Sequence, residues 1–325
     1  GMGQKWKPLA IFFAISGILV ALLGIGTFSQ VNSITDAVNS SFGISPKIVA
    51  VILAVLVALV VFGGLQSISN VSTKIVPFMT VAYIVICLVI LVSSYNLIPQ
   101  TFALIFKGAF TGQAAAGGFL GATVAMAIRN GIARGVFSNE SGLGSAPLVA
   151  AAAKTKNPVR QALISATGTF WDTVVVCLIT GITLVTTIMK NPEINMSSIQ
   201  NGGQMTTAAF SQIPVLGSII LVFGIITFAY TTVLGWSYYG ERCAEYLFGK
   251  RATIFFKIIF VFVILLGPVI ELDIVWSLSD IFNALMAVPN IIALVFTSGL
   301  IAKETKKWLN NLEGTDDTEI STLDK

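Results

Sequence analysis

The 325-residue chain contains no histidine, and that absence removes several chemistries at once. General acid–base work by imidazole, His-ligated zinc or haem, and histidine-dependent membrane proteolysis all need a residue that is not there. There is no G-x-x-x-x-G-K-[ST] phosphate loop, which excludes ATP hydrolysis by that route. The three cysteines, Cys87, Cys177 and Cys243, lack metal-type spacing and read as inert packing residues. Charge is scarce as well: Asp, Glu, Lys and Arg supply 10% of the residues, hydrophobic types supply 55%, and mean hydropathy is +0.88. A soluble domain carries about 25% charged residues, so the natural solvent of this chain is a lipid bilayer.

What is present in quantity is apolar sequence. A spanning helix needs about 20 mostly apolar residues, and eight runs qualify: 8–29, 47–65, 75–98, 114–153, 162–189, 215–239, 252–270 and 284–302. They leave no room for a separate soluble domain, so a single membrane domain is expected over 1–305, with a polar tail over 306–325. The first run follows Lys5 and Lys7, has no small-residue cleavage site and leads into further spans, so it reads as a span rather than a signal peptide. If the spans alternate, fourteen of the nineteen Lys and Arg residues, from Lys5 and Lys7 to Lys325, fall on one side. Only Lys47, Lys107 and Lys190 fall on the other, which places both ends in the cytoplasm. The net charge of +4 follows from this bias, is spread over short loops, and does not indicate nucleic-acid binding.

The fourth run cannot be one plain helix. Forty residues would extend about 60 Å, twice the hydrocarbon thickness, and 138–145 (SNESGLGS) holds two glycines, three serines, an asparagine and an acid. The expected form is a helix ending near Phe137, an unwound stretch, and a short helix with Ser145 as its N-cap and Pro147 in its first turn. Such a break frees amides on one side and carbonyls on the other, which lipid does not tolerate but a ligand cavity does. The amide end suits a carboxylate and the carbonyl end a cation or ammonium, so a zwitterionic amino acid matches both. A helical hairpin or re-entrant loop with a structural glycine turn is the alternative. Glu140, Asp172, Arg129 and Arg134 imply a wet or protein-buried interior, although the two arginines also fit snorkelling near an interface.

The string RNGIARGVFSNESGLGSAPLVAAAAKTKNPVRQALISATGTFWDT resembles the central signature of the bacterial and archaeal alanine or glycine:cation symporters. KWKPLAIFFAISGILVALLGIGTFSQVNSI, FKGAFTGQAAAGGF, FAYTTVLGWSYYGERC and VWSLSDIFNALMAVPNIIALV are similar to other stretches of the same family, so the likeness covers residues 3–305. It implies an all-α, leucine-transporter-like inverted-repeat fold in a cell (inner) membrane, with the chain beginning at the third of ten core helices. The broken run is then the sixth. A trace of the inversion is expected in 74–90 and 285–301, where Val76-Pro77 and Val288-Pro289 open comparable apolar runs. The glycine-rich first core helix and the second are absent, which implies an incomplete site and a truncated frame or excised piece. A glycine added before a start methionine is the other reading of Gly1-Met2-Gly3.

The resemblance also implies residue roles. Gln30, at the end of the first span, would hydrogen-bond the amino acid; otherwise it is an ordinary helix-end polar residue. Thr27-Phe28-Ser29 replaces the Asn-Met-Val of many members. Phe137 and Trp236 would wall a small side chain. Asn139, Ser141, Gly142 and Gly144 would meet the substrate along the unwound segment, with Glu140 bracing the break by accepting backbone amides. Thr231 and Thr232 would ligate a sodium ion, or else bond back to their own helix. Asp172, Asp280 and Asn283 are candidates for polar networks between helices. The implied activity is symport of alanine, glycine or glutamine with sodium or protons, and no other cofactor. Competing readings are a channel-like protein and a non-transporting fragment.

Overall fold

With no water at membrane depth to satisfy peptide groups, apolar runs of this length are stable only as helices or closed barrels. The computed structural model shows helices. It describes residues 2–111, 124–155, 157–191, 202–211 and 217–310, with the side chains of 109–111, 124–130, 202–204, 218 and 272–273 outside that set. Thirteen α-helices follow in chain order among the described residues: α1 (Lys7–Leu23), α2 (Phe28–Phe42), α3 (Pro46–Val61), α4 (Gly64–Val92), α5 (Ile98–Thr111), α6 (Val124–Asn139), α7 (Ala146–Ala150), α8 (Pro158–Thr169), α9 (Leu178–Lys190), α10 (Gly202–Ser211), α11 (Gly217–Phe248), α12 (Ala252–Leu266) and α13 (Leu272–Asn310). No strand occurs among the described residues.

Among the described residues, six helical stretches are long and apolar enough to cross a bilayer: Gln4–Phe42, Gly64–Val92, Pro158–Lys190, Ile219–Phe248, Ala252–Val269 and Ile274–Asn310. They match six of the eight expected runs. The seventh, 47–65, forms α3, a shorter apolar helix of 16 residues. The eighth, 114–153, lies partly outside the described residues.

Local chemistry sets the ends of several helices. The Asn157 side chain accepts from the Val159 amide at 2.8 Å with Pro158 in the first turn, which starts α8. Pro77 and Pro289 lie inside α4 and α13, which run through them. Residues Phe170–Cys177 between α8 and α9 are π-helical, so a single span carries a wider turn in its middle.

α11 is the hub. It packs on α1, α2, α3, α4 and α12, and α1 also packs along α13. The buried cluster draws Val20, Ala21 and Ile25 from α1 and its end, Val31 and Ile34 from α2, Val57 and Val61 from α3, and Val233, Leu234 and Trp236 from α11. α1 and α13 run antiparallel: Phe296 meets Trp6 with ring centroids 4.8 Å apart. Further along, the Met286 sulfur sits beside Gly17, and Val275 shares a cluster with Leu22, Leu23 and Phe28. Outward-facing residues are large and apolar, as in Val51, Ile52, Val55 and Leu59 of α3 or Phe255, Ile258, Ile259 and Phe262 of α12. So extensive an apolar surface is at home against lipid tails and not in water.

Candidate functional site

The interruption expected in the fourth run is present, two residues later than its composition suggested. α6 continues through Asn139, and Glu140 then takes a φ of 56°, the left-handed region that non-glycine residues rarely occupy. Gly142 (φ 88°) and Gly144 (φ 89°) carry the chain round to α7. Two of the freed groups find side-chain partners: the Ser141 amide donates to Asn139 Oδ1 at 2.9 Å, and the Gly142 carbonyl accepts from Asn290 Nδ2 at 3.0 Å.

Two expectations for this segment are corrected. Ser145 precedes α7, but its hydroxyl caps no amide; it donates to Glu140 Oε2 at 2.5 Å. Glu140 is therefore braced by a side-chain donor, the Ser145 hydroxyl, rather than by backbone amides, with the Trp236 and Tyr239 side chains close to its carboxyl group. Gly144 does permit a close approach, but to protein. A Cβ there would lie 2.7 Å from the Phe13 ring and 2.9 Å from Asn290 Cγ, so α1 and α13 fill that space. At Gly142 the same position is open.

A second interruption was not expected. The first apolar run breaks at 24–27, between α1 and α2. The amides of Gly24 and Gly26 both reach the Val20 carbonyl, and the Thr27 hydroxyl donates to the Ala21 carbonyl at 2.6 Å. Gln30 thus belongs to the first turn of α2 and not to the end of the first span, and its Nε2 folds back on the Ile25 carbonyl at 3.1 Å. The glycines of GIGT carried the signal, masked by the apolar residues around them. The break abuts α11 closely: a Cβ on Gly26 would fall 2.8 Å from the Trp236 Cβ.

α11 joins the two interruptions. Trp236, 1% exposed, contacts Gly26 of the first break and faces Glu140 of the second, with its ring edge-on to Tyr239 at 5.2 Å. Thr232 lies one turn before Trp236 on the same face. Its hydroxyl donates to Phe228 O at 2.9 Å, and Thr231 donates to the Thr227 and Phe228 carbonyls, each at 3.0 Å. Both hydroxyls bond back to their own helix, and in each the oxygen lone pairs remain to accept or to ligate.

The other expected residues turn away from this group. Asn139 Nδ2 donates to Thr173 at 2.9 Å, Ser141 pairs with the Thr169 hydroxyl at 3.1 Å, and the Ser138 hydroxyl reaches both Asp172 oxygens at 2.7 and 2.9 Å. Asp172 and Thr173 sit in the π-helical segment. Phe137 packs against Trp276, with ring centroids 5.8 Å apart. The Arg134 guanidinium lies 4.3 Å from the Phe137 ring centroid and 4.6 Å from that of Trp276, and donates to Asp280 at 2.8 Å. That pairing of Arg134 with Asp280 was not foreseen, because 146 positions separate the partners. The Arg129 side chain lies outside the described residues.

Lys257, counted above as a loop cation, is inside α12 and 3.3 Å from the buried Glu241, which also pairs with Arg242 at 2.9 Å. Among the described residues, no group of three or more His, Cys, Asp or Glu side chains is placed to hold a metal.

An interrupted helix whose acid is tied to a serine thus lies beside a hub helix that carries a hydroxyl pair. The chain is 46% identical over 316 residues to an uncharacterized transporter of Haemophilus influenzae, covering 96% of this chain and 68% of that one. It is 47% identical over 302 residues to the sodium/alanine symporter AgcS of Methanococcus maripaludis, covering 93% and 65%. It is 33% identical over 326 residues to the putative sodium/proton-dependent alanine carrier protein YrbD of Bacillus subtilis, covering 96% and 65%. The chain thus spans about two thirds of the length of these relatives. The profile of the sodium:alanine symporter family matches residues 1–322, and the chain belongs to that family of multi-pass membrane transporters, which are not enzymes.

Proposed function

We propose that this chain forms the larger part of a carrier that moves a small neutral amino acid, alanine or glycine, across the cell membrane with sodium. One observation supports it most: the backbone opens at 140–145 within a helical membrane protein, beside Trp236 and one turn from Thr232. Exposed peptide dipoles at such a break match the two charged ends of an amino acid. Gln30, Gly142 and Trp236 are the proposed contacts for the amino acid, with Thr231 and Thr232 for sodium; the Asn139 and Ser141 side chains are engaged by Thr173 and Thr169 and leave their backbone to the guest. Glu140 and Ser145 hold the break closed and act on substrate indirectly. The names of the two alanine-transporting relatives favour alanine, and one of them allows protons as the coupling ion.

The same reading assigns 1–305 to one transporter domain of leucine-transporter type, core helices three to ten, with 306–325 as a cytoplasmic tail and both ends inside. The test is labelled alanine uptake by cells expressing this sequence, alone and joined to the part of a relative's chain that it does not cover. The expected result is uptake by the joined form that rises with external sodium and falls at least tenfold in Gln30→Ala and in Thr232→Ala. Uptake unchanged in both variants removes the residue assignment. Glutamine competing better than alanine would change the substrate.

A further inference from the structure

Buried polar groups in membrane proteins find partners, yet among the described residues α13 carries three that have none, Ser279, Asn283 and Trp308, of which the first two lie together. Ser279 is fully buried and Asn283 is 4% exposed, and neither the Ser279 hydroxyl nor either polar atom of the Asn283 amide has a hydrogen-bond partner among the described residues. They lie one turn apart, so they share a face of the helix. What that face meets follows from the antiparallel packing of α13 on α1. Phe296 meets Trp6, Asn290 and Phe13 both approach Gly144, Met286 sits beside Gly17, and Val275 joins Leu22, Leu23 and Phe28. Numbers fall along α1 as they rise along α13, one for one. Ser279 is therefore level with Gly24 and Asn283 with Val20 and Ala21, at the mouth of the 24–27 interruption.

That interruption supplies what the two side chains lack. The Val20 and Ala21 carbonyls are taken by Gly24, Gly26 and Thr27, but no described residue outside the helix donates to the carbonyls of Leu22 and Leu23. The neighbouring carboxylate on α13, Asp280, is engaged by Arg134, so it is not part of the set. Hydroxyl, amide and peptide oxygens without a carboxylate suit a monovalent cation; calcium and magnesium sites are built around carboxylates or phosphates. An amide also serves both needs at once, its oxygen facing an ion and its nitrogen a carbonyl.

We propose that Ser279 and Asn283, with the peptide oxygens exposed where α1 ends, form a sodium site separate from the Thr231–Thr232 pair. It deepens the coupling-ion reading above and resides in residues that reading does not use. The site ties sodium to the packing of α13 on α1, one turn from Trp276 and the Arg134–Asp280 pair.

The experiment is a sodium titration of the purified protein in detergent at constant ionic strength. It uses no amino acid, is done in a Thr232→Ala background, and follows tryptophan fluorescence. A saturable change is expected, with half-saturation raised at least tenfold by Asn283→Leu and by Ser279→Ala. Thermal melting in sodium-free buffer checks folding. Leucine in place of an unpartnered amide should leave the melt unchanged or raise it, and Ser279→Ala carries the same readout should Asn283→Leu not fold. A flat titration in the Thr232→Ala background, or half-saturation unmoved by both substitutions, overturns the proposal. No transport is required, so a failed uptake assay and a failed titration are distinguishable results.

Discussion

Ser145 Oγ donates to Glu140 Oε2 at 2.5 Å, so the residue before α7 is tied to the first residue after α6 and the interruption closes on itself. Ser145 is fully buried, and Trp236 and Tyr239 of α11 lie close to the Glu140 carboxyl group, so the bond sits against the hub helix.

Losing one partner of a buried hydrogen bond costs about 1–3 kcal/mol, so Ser145→Ala should lower the melting temperature of the purified protein by a corresponding amount. Glu140 offers a sharper comparison. Glycine would relax the positive φ but remove the acceptor of the Ser145 hydroxyl, whereas glutamine keeps an acceptor oxygen. The expected order of stability is wild type, then Glu140→Gln, then Glu140→Gly. A glycine variant that melts above wild type would show that backbone strain, not bracing, governs the segment.

The close approach of the first interruption to α11 yields a second expectation. A Cβ at Gly26 would lie 2.8 Å from the Trp236 Cβ and equally close to Ala21 Cα, neither of which is the end of a flexible chain. Overpacking of this kind costs about 1–3 kcal/mol. Gly26→Ala should therefore destabilise the protein in a detergent melt, while Gly131→Ala, whose Cβ would meet nothing within 4 Å, should leave it unchanged or slightly more stable. Equal effects at the two positions would contradict the packing described.

The sequence made one interruption legible and hid the other, and the difference is compositional. Residues 138–145 combine glycine, serine, asparagine and an acid inside an apolar run, which no buried helix sustains, and Gly142 and Gly144 do take positive φ. At 24–27 the glycines sit among Leu, Ile and Phe, so the run reads as continuous and Gln30 was placed at a span's end instead of a helix's start. The π-helical turn left no trace, because FWDTVVVC has the pattern of any span. It nevertheless carries Asp172 and Thr173, the residues that pull Ser138 and Asn139 away from the Trp236 side. Pairings such as Arg134 with Asp280 depend on tertiary packing, and local spacing holds no record of them.

The polar seam between α6 and the π-helical segment is open to a direct test. Asp172 accepts twice from Ser138 and once from Thr173. Asp172→Asn replaces one acceptor oxygen by a donor and should weaken the contact, whereas Asp172→Ala leaves both hydroxyls without it. Hydrogen exchange of the 134–141 amides should rise more in the alanine variant than in the asparagine one. Exchange unchanged in both would mean that the seam does not hold the end of α6.

Arg134 and Asp280 provide the last expectation, since they join the interrupted helix α6 to α13. Their side chains are 42% and 48% exposed, so solvent or lipid headgroups screen the pair, and pairs of that kind contribute about 0–1 kcal/mol. The guanidinium also stacks on Phe137 and Trp276, a planar contact that an ammonium does not reproduce. Arg134→Lys should therefore destabilise the protein nearly as much as Arg134→Ala, and a double-mutant cycle with Asp280→Ala should give a coupling of no more than about 1 kcal/mol. A lysine variant that melts with wild type would show that the charge alone matters and that the aromatic stack is incidental.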